Sequence, residues 1–140
     1  CAYVELGDPG IPHAAVPIEN LKDYDTQALF QLGRKLRYYK DFPKGANVNF
    51  YEIIGPDHVY ERTYERGVED FTYACGTGTG ASVYALAEKR RCGDHAEVEV
   101  KGGLLIVDIV RDGKKCRDLL LTGPASMVCT GEIFDEAISQ

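Results

Sequence analysis

Residues 71–91 read FTYACGTGTGASVYALAEKRR: a cysteine, three alternating glycines, then small and apolar residues closed by four charges. The run predicts a helix over 76–91. Ala81, Val83, Tyr84, Ala85, Leu86 and Ala87 leave that helix almost no polar face, so it should be buried on most sides. Gly93 is the expected stop just past its end. Cys75 then falls at the helix start, where free amides and the dipole ease thiol ionisation and attract anions. It is therefore the thiol expected to ionise most readily.

Working outward, AYVEL (2–6) and HAAVPI (13–18) read as strands parted by the turn-rich GDPGIP. A helix is predicted over 25–39, capped by Asp25, with Leu29, Leu32, Leu36 and Tyr39 on one stripe. NVNFYEII (47–54) and HVYERTY (58–64) flank Gly55-Pro56-Asp57 as a hairpin. Four further strands are predicted over 96–100, 104–110, 116–121 and 126–134. Roughly eight short strands with one nearly apolar helix give an α+β class: a mixed, curled sheet wrapped around a central buried helix.

The chain has 140 residues, about one domain by the usual size range, and is 44% hydrophobic, enough for a core. A formal net charge of -6 argues against nucleic acid or an anionic membrane as partner. No apolar run approaches the roughly 18 residues a membrane helix needs. Cysteines 1, 75, 92, 116 and 129 are odd in number and form no CxxC, so neither a full disulfide set nor a zinc site is expected. A reducing cytoplasm is the expected compartment. Cys92, Cys116 and Cys129 read as structural, and His58 and His95 as solvent-exposed. The opening CAYVELGDPG has no signal-peptide shape and no initiator Met, which suggests a chain cut from a longer one.

Three readings compete for CGTGTGAS. A phosphate-binding P-loop fails for want of its lysine. A dinucleotide fingerprint is matched by Gly76, Gly78 and Ala81, but ERGVEDFTY before it is no apolar strand. The third uses Cys75 itself: a carboxylate docked on the amides of the glycine turn would set its α-carbon beside the thiol, ready for proton transfer. On spacing alone, a lone cysteine at a helix start reads more readily as structural than as catalytic.

The segment TYERGVEDFTYACGTGTGA resembles the second-half signature of the diaminopimelate epimerases, which are cofactor-independent amino-acid epimerases. NVNF (47–50), YERG (64–67), ACGTG (74–78), GGL (102–104) and TGPA (122–125) follow in that family's order, and GIPH (10–13) completes the set. CGTGT alone also looks like proline racemase; NVNF and YERG favour the epimerases.

The resemblance implies a two-thiol mechanism, one cysteine removing the α-proton and the other returning one from the opposite face. It implies one domain, 1–140, forming the C-terminal half of a pseudo-symmetric protein whose N-terminal half is absent, so that the chain alone is inactive. By carry-over, Cys75 is the acid/base of this half, with His13 and Glu65 beside it. Gly76, Thr77 and Gly78 hold the α-carboxylate; Asn47, Glu65 and Arg66 contact the rest of the substrate. No cofactor or metal is implied. The implied partners are a small amino acid and the missing half, or self-association in its place.

Two positions depart from the family pattern. Ile11 stands where an asparagine that helps bind the distal carboxylate is usual, and Phe71 where glutamate is common. Both make the implied site less polar and favour a substrate such as histidine or proline over diaminopimelate. A non-catalytic domain binding an amino acid or a protein is the remaining alternative; the intact ACGTG argues against it. In the bland readings, His13 is a surface or hydrogen-bonded strand histidine, Glu65 and Arg66 an exposed ion pair, and Asn47 a strand-edge residue.

Overall fold

Seven strands lie in chain order across one sheet in the computed structural model, which describes residues 1–132 and Phe134. They are β1 (Ala2–Leu6), β2 (Ile11–Pro17), β3 (Asn47–Gly55), β4 (His58–Tyr64), β5 (His95–Val100), β6 (Gly103–Asp112) and β7 (Lys115–Thr122). Helix α1 (Thr26–Arg37) joins β2 to β3, and α2 (Gly76–Glu88) joins β4 to β5. Those two pairs are parallel, while the hairpin-linked pairs are antiparallel. Each parallel pair thus receives the helical crossover its geometry requires.

The sheet curls. A Cβ on Gly80 of α2 would lie 3.8 Å from Leu6 of β1 and 3.4 Å from Leu119 of β7, so both edges of the sheet reach the same helical turn. Gly78–Val83, Ala85 and Leu86 are buried, as a helix with no polar face requires. The helix ends at Glu88, earlier than predicted. Arg90 takes the left-handed turn (φ 56°) and the Arg91 N–H reaches the Leu86 carbonyl at 2.9 Å. Gly93 is no helix stop; its N–H donates to Asp57.

Helix α1 is capped as predicted, Asp25 accepting from the Ala28 N–H at 2.6 Å. Leu29 is buried, and Leu32 and Leu36 pack on Leu21, Val48, Phe50 and Tyr64. Tyr39 lies beyond the helix and is exposed, so it does not extend the stripe.

Strand pleat sorts the two cores. On β3, Val48 and Phe50 face α1 while Tyr51 packs on the α2 side; on β4, Tyr64 faces α1 and Val59 faces α2. Side chains alternate faces along a strand. Parity therefore puts His13, Asn47, Asn49, Glu61 and Thr63 on the α2 side. That line of polar residues positions the site.

The predicted eighth strand is absent over 126–132, and Ile133 lies outside the described residues. Met127 and Val128 are 90% and 89% exposed: a strand needs a neighbour to bond, and this apolar stretch has none among the described residues.

Candidate active site

Strands β2 and β3 are parallel and begin at the same end of the sheet; β4, antiparallel to β3, finishes there. His13 pairs in register with Asn47, and Val48 with Tyr64, the last residue of β4. Glu65 and Arg66 follow Tyr64 directly, and Cys75 precedes α2. Topology alone gathers Cys75, His13, Asn47, Glu65 and Arg66 at one end of the fold.

Cys75 is extended (φ −133°, ψ 98°), and its carbonyl accepts the first intrahelical bond from the Thr79 N–H at 2.8 Å. The amides of Gly76, Thr77 and Gly78 precede that bond, which leaves them without helical acceptors. The thiol sulfur lies 3.8 Å from Thr77 Oγ1. Burial pushes this thiol up to about 11; the Gly78 amide and the Thr77 hydroxyl draw it down, while Glu65 and Glu61 add to the rise. The expectation of an easily ionised thiol is overturned, because desolvation outweighs the helix start. Cys75 holds its proton.

Gly78 is required by close approach. A Cβ there would lie 3.1 Å from Cys75 Sγ and collide with Asn49 Oδ1. Asn49 in turn sets its Nδ2 3.3 Å from His13 Nδ1. His13 is fully buried, and burial, aided by the Arg66 charge, lowers it to about 4. It is a neutral imidazole in a hydrogen-bonded strand.

Asn47 is no loose strand-edge residue. Its Oδ1 accepts the Arg66 N–H at 2.8 Å and its Nδ2 donates to the Pro12 carbonyl at 3.3 Å, tying three segments together. The Arg66 guanidinium donates to the Lys44 carbonyl at 2.9 Å, and Glu65 accepts from the Thr72 hydroxyl at 2.6 Å. The Glu65–Arg66 ion pair of the bland reading is not among the salt bridges of the described residues.

Ile11, 39% exposed, opens β2 next to Pro12 at the same end. Phe71 does not line the site as its sequence position suggests: its ring packs edge-on to Tyr64 and beneath the Arg62 guanidinium, in the α1-side core. A cavity of about 530 Å³ lies in the seam between β1 and β7, walled by Leu6, Gly76, Thr77, Gly80, Leu119 and Leu121.

Cys92 and Cys116 pack against the α2-side core as predicted, but Cys129 is exposed and has no structural role there. His95 is exposed beside Asp108, whereas His58 is half-buried near Glu99. Among the described residues no cluster of three or more potential metal ligands occurs, and no helix is long and apolar enough to cross a membrane.

Sequence reasoning missed Asn49, Glu61, Thr63 and Thr79. Their signal was present as a polar period of two in NVNF and in ERTYE, opposite Thr79 and Ser82 three apart on α2.

A family model described as diaminopimelate epimerase matches residues 7–128. The chain is 43% identical over 129 residues to the diaminopimelate epimerase of Archaeoglobus fulgidus, covering 91% of this chain and 42% of that protein. It is 39% identical over 135 residues to that of Methanothrix thermoacetophila, covering 96% and 44%. It thus spans less than half the length of these curated relatives. Among solved structures, a PhzF-family phenazine biosynthesis protein of Bacillus anthracis has a TM-score of 0.54 at 19% identity, over 74% of this chain and 31% of that one. A PhzF-family protein of Enterococcus faecalis gives 0.57 at 16%, over 71% and 34%. At such identities the likeness is one of fold.

Proposed function

This chain belongs to the diaminopimelate epimerase family, and from that premise we propose that it is the C-terminal half of a cofactor-independent amino-acid epimerase. The observation that carries the reading is the placement of the Cys75 thiol beside three amides free of helical bonds, at the sheet end shared by His13, Asn47, Glu65 and Arg66.

In this reading the substrate α-carboxylate docks on the amides of Gly76, Thr77 and Gly78. A thiolate from the N-terminal half takes the α-proton, and the negative charge spreads into the carboxylate, where the amides stabilise it. Cys75, which holds its proton, delivers it to the opposite face and becomes the thiolate. The second thiol ends protonated, so charge balances and reversal exchanges the two roles. His13 stays neutral throughout, and Glu65 contacts the substrate and adds to the burial that keeps the Cys75 thiol protonated. Arg66 and Asn47 hold the far end of the substrate.

A second substrate reading rests on Ile11. An exposed isoleucine at the rim of β2 offers no hydrogen bond to a distal carboxylate, which favours an amino acid with an uncharged or aromatic far end. The partner half, or a second copy in its place, would cover the leucine-rich seam, where Leu120 and Leu121 are 53% and 49% exposed.

The test is α-hydrogen exchange in deuterated water, followed by proton NMR across a panel of amino acids, with this chain joined to its N-terminal half. Exchange with inversion, lost at least about a hundredfold in Cys75→Ala, is the expected result. An unchanged rate in Cys75→Ala would end the mechanism. Exchange of diaminopimelate alone would end only the inference from Ile11.

A further inference from the structure

Glu61 is a glutamate in the wrong place for its chemistry. It sits mid-strand on β4, 1% exposed, facing α2. Charged side chains are almost never buried so fully without a counter-charge, and none of the salt bridges of the described residues involves Glu61. Its partners are hydroxyls. Thr79 Oγ1 donates to Glu61 Oε1 at 2.8 Å, and Thr63 Oγ1 stands 3.5 Å from the same oxygen. Ser82, one turn further along α2, lies beside the carboxyl, while Glu61 Oε2 has no hydrogen-bond partner among the described residues.

The contacts continue away from Glu61. Thr63 Oγ1 donates to Asn49 Oδ1 at 3.1 Å, and Asn49 Nδ2 meets His13 Nδ1 at 3.3 Å. Because the Asn49 oxygen is engaged by Thr63, its NH₂ faces the imidazole, so His13 Nδ1 is the acceptor and the ring proton rests on Nε2. His13 Nε2 is buried and has no partner among the described residues.

We propose that Glu61 is a positioning residue for Cys75: it anchors the first turn of α2 from behind through Thr79, while Thr63, packed against the same carboxyl, gives its proton to Asn49 and so sets the Asn49 amide toward His13. The inference rests on the acid/base reading of Cys75 and adds to it a residue outside the substrate's reach. Thr79 explains why the anchor matters. A helical threonine without another acceptor bonds back to the carbonyl four residues earlier, and for Thr79 that carbonyl belongs to Cys75. Glu61 draws the hydroxyl away and leaves the Cys75 peptide to the helix. Its charge also bears on the thiol, as does that of Glu65. From the packed elements, the groups facing Glu61 are Thr79 and Ser82 on α2, Tyr51 directly across on β3 and Thr63 on its own strand. The titratable groups at the ends of the network are Cys75 and His13, and Arg66 acts on His13.

Stability and positioning make opposite forecasts. A buried carboxyl costs desolvation, so Glu61→Leu, similar in volume, should leave stability unchanged or raise it if the residue serves positioning, and lower it if its hydrogen bonds serve the fold. The test reads Cys75 alkylation by iodoacetamide against pH, by mass spectrometry, in the wild type, Glu61→Gln and Glu61→Leu, with urea unfolding alongside. Glu61→Gln keeps an acceptor for Thr79 and removes the charge. Between about pH 7, above which the Glu61 carboxyl is ionised, and the thiol midpoint, it should speed Cys75 alkylation at least about threefold, the effect of half a pKa unit on the thiolate fraction. Glu61→Leu should change the alkylation rate further while remaining folded; if it fails to fold, Glu61→Gln carries the test. His13 ring ¹⁵N shifts should show Nε2–H in the wild type and a mixed tautomer in Thr63→Val. Alkylation profiles that coincide in wild type and Glu61→Gln would overturn the proposal, as would an unmoved His13 in Thr63→Val. If these signals move but the joined protein exchanges no α-hydrogen, the positioning role stands and the acid/base reading of Cys75 falls.

Discussion

Asn49 stands between His13 and Gly78: its amide nitrogen lies 3.3 Å from the imidazole, and its oxygen fills the space a side chain at position 78 would need. The glycine of the turn is therefore tied to β3 and, through it, to β2. Backbone freedom alone does not account for Gly78, which is buried inside a helix. Close approach does.

Gly78→Ala sets two known effects against each other. Alanine in a helix gains about 1 kcal/mol over glycine. Forcing a methyl against Asn49 and the Cys75 sulfur costs about 1–3 kcal/mol of overpacking. The neighbours are a hydrogen-bonded amide and a half-buried thiol, neither free to move, so overpacking should win. Urea unfolding should show Gly78→Ala less stable than wild type. A stabilised variant would mean that Asn49 yields easily and that the cradle is loose.

Asn47 bonds the Pro12 carbonyl and the Arg66 amide at once. In Asn47→Ala the buried Pro12 carbonyl loses its donor, at a cost of about 1–3 kcal/mol, while water can replace the partner of the exposed Arg66 amide. The same change frees the Arg66 segment, so affinity for the far end of the substrate should fall with it. The midpoint of urea unfolding and the KM of the joined protein check the two halves of this statement. A loss of stability with KM unchanged would confine Asn47 to the fold.

The apolar circumference of α2 was legible because no other environment suits such a helix, and the curl of the sheet follows from needing strands on several sides of it. The Asp25 cap and the Gly55–Asp57 hairpin were legible as local chemistry. Burial of single polar residues was not. Glu61 on a strand reads by default as a solvent-facing side chain, and only the helix above it reveals otherwise. The ease of Cys75 ionisation was misjudged for the same reason, since a helix start is visible in sequence and the desolvation opposing it is not. SMVCTGEIF has the composition of a strand, but a strand exists only with a partner edge.

Thiol labelling should follow exposure in this chain. Cys1 and Cys129 are exposed, whereas burial pushes Cys75 and Cys92 each up to about 11. Brief iodoacetamide treatment near neutral pH should mark Cys1 and Cys129 first. Since the folded values of Cys75 and Cys92 lie above the ordinary 9.0, the unfolded chain releases those protons first, and stability should decline as pH rises from about 9 toward 11. Early labelling of Cys75 would show that its thiolate is stabilised more than its burial allows.

His13 and Glu61 should oppose one another in acid. His13 is lowered from 6.5 to about 4, so between those values the unfolded chain binds the extra proton and stability falls as pH falls. Glu61 is raised from 4.5 to about 7, so over that span the folded chain binds the extra proton and stability rises as pH falls. The windows overlap from about 4.5 to 6.5, where the two slopes, each up to about 1.4 kcal/mol per pH unit, offset each other. The wild type should therefore change little there on account of these groups. Glu61→Gln should lose stability on acidification faster than wild type, and His13→Gln should lose it more slowly or gain. Urea unfolding at three pH values across that window measures all three slopes. Parallel slopes in the three proteins would show that neither group titrates as its burial dictates. Equal displacement of both variants in one direction would show that the two protons are taken up as a single coupled unit through Asn49 and Thr63.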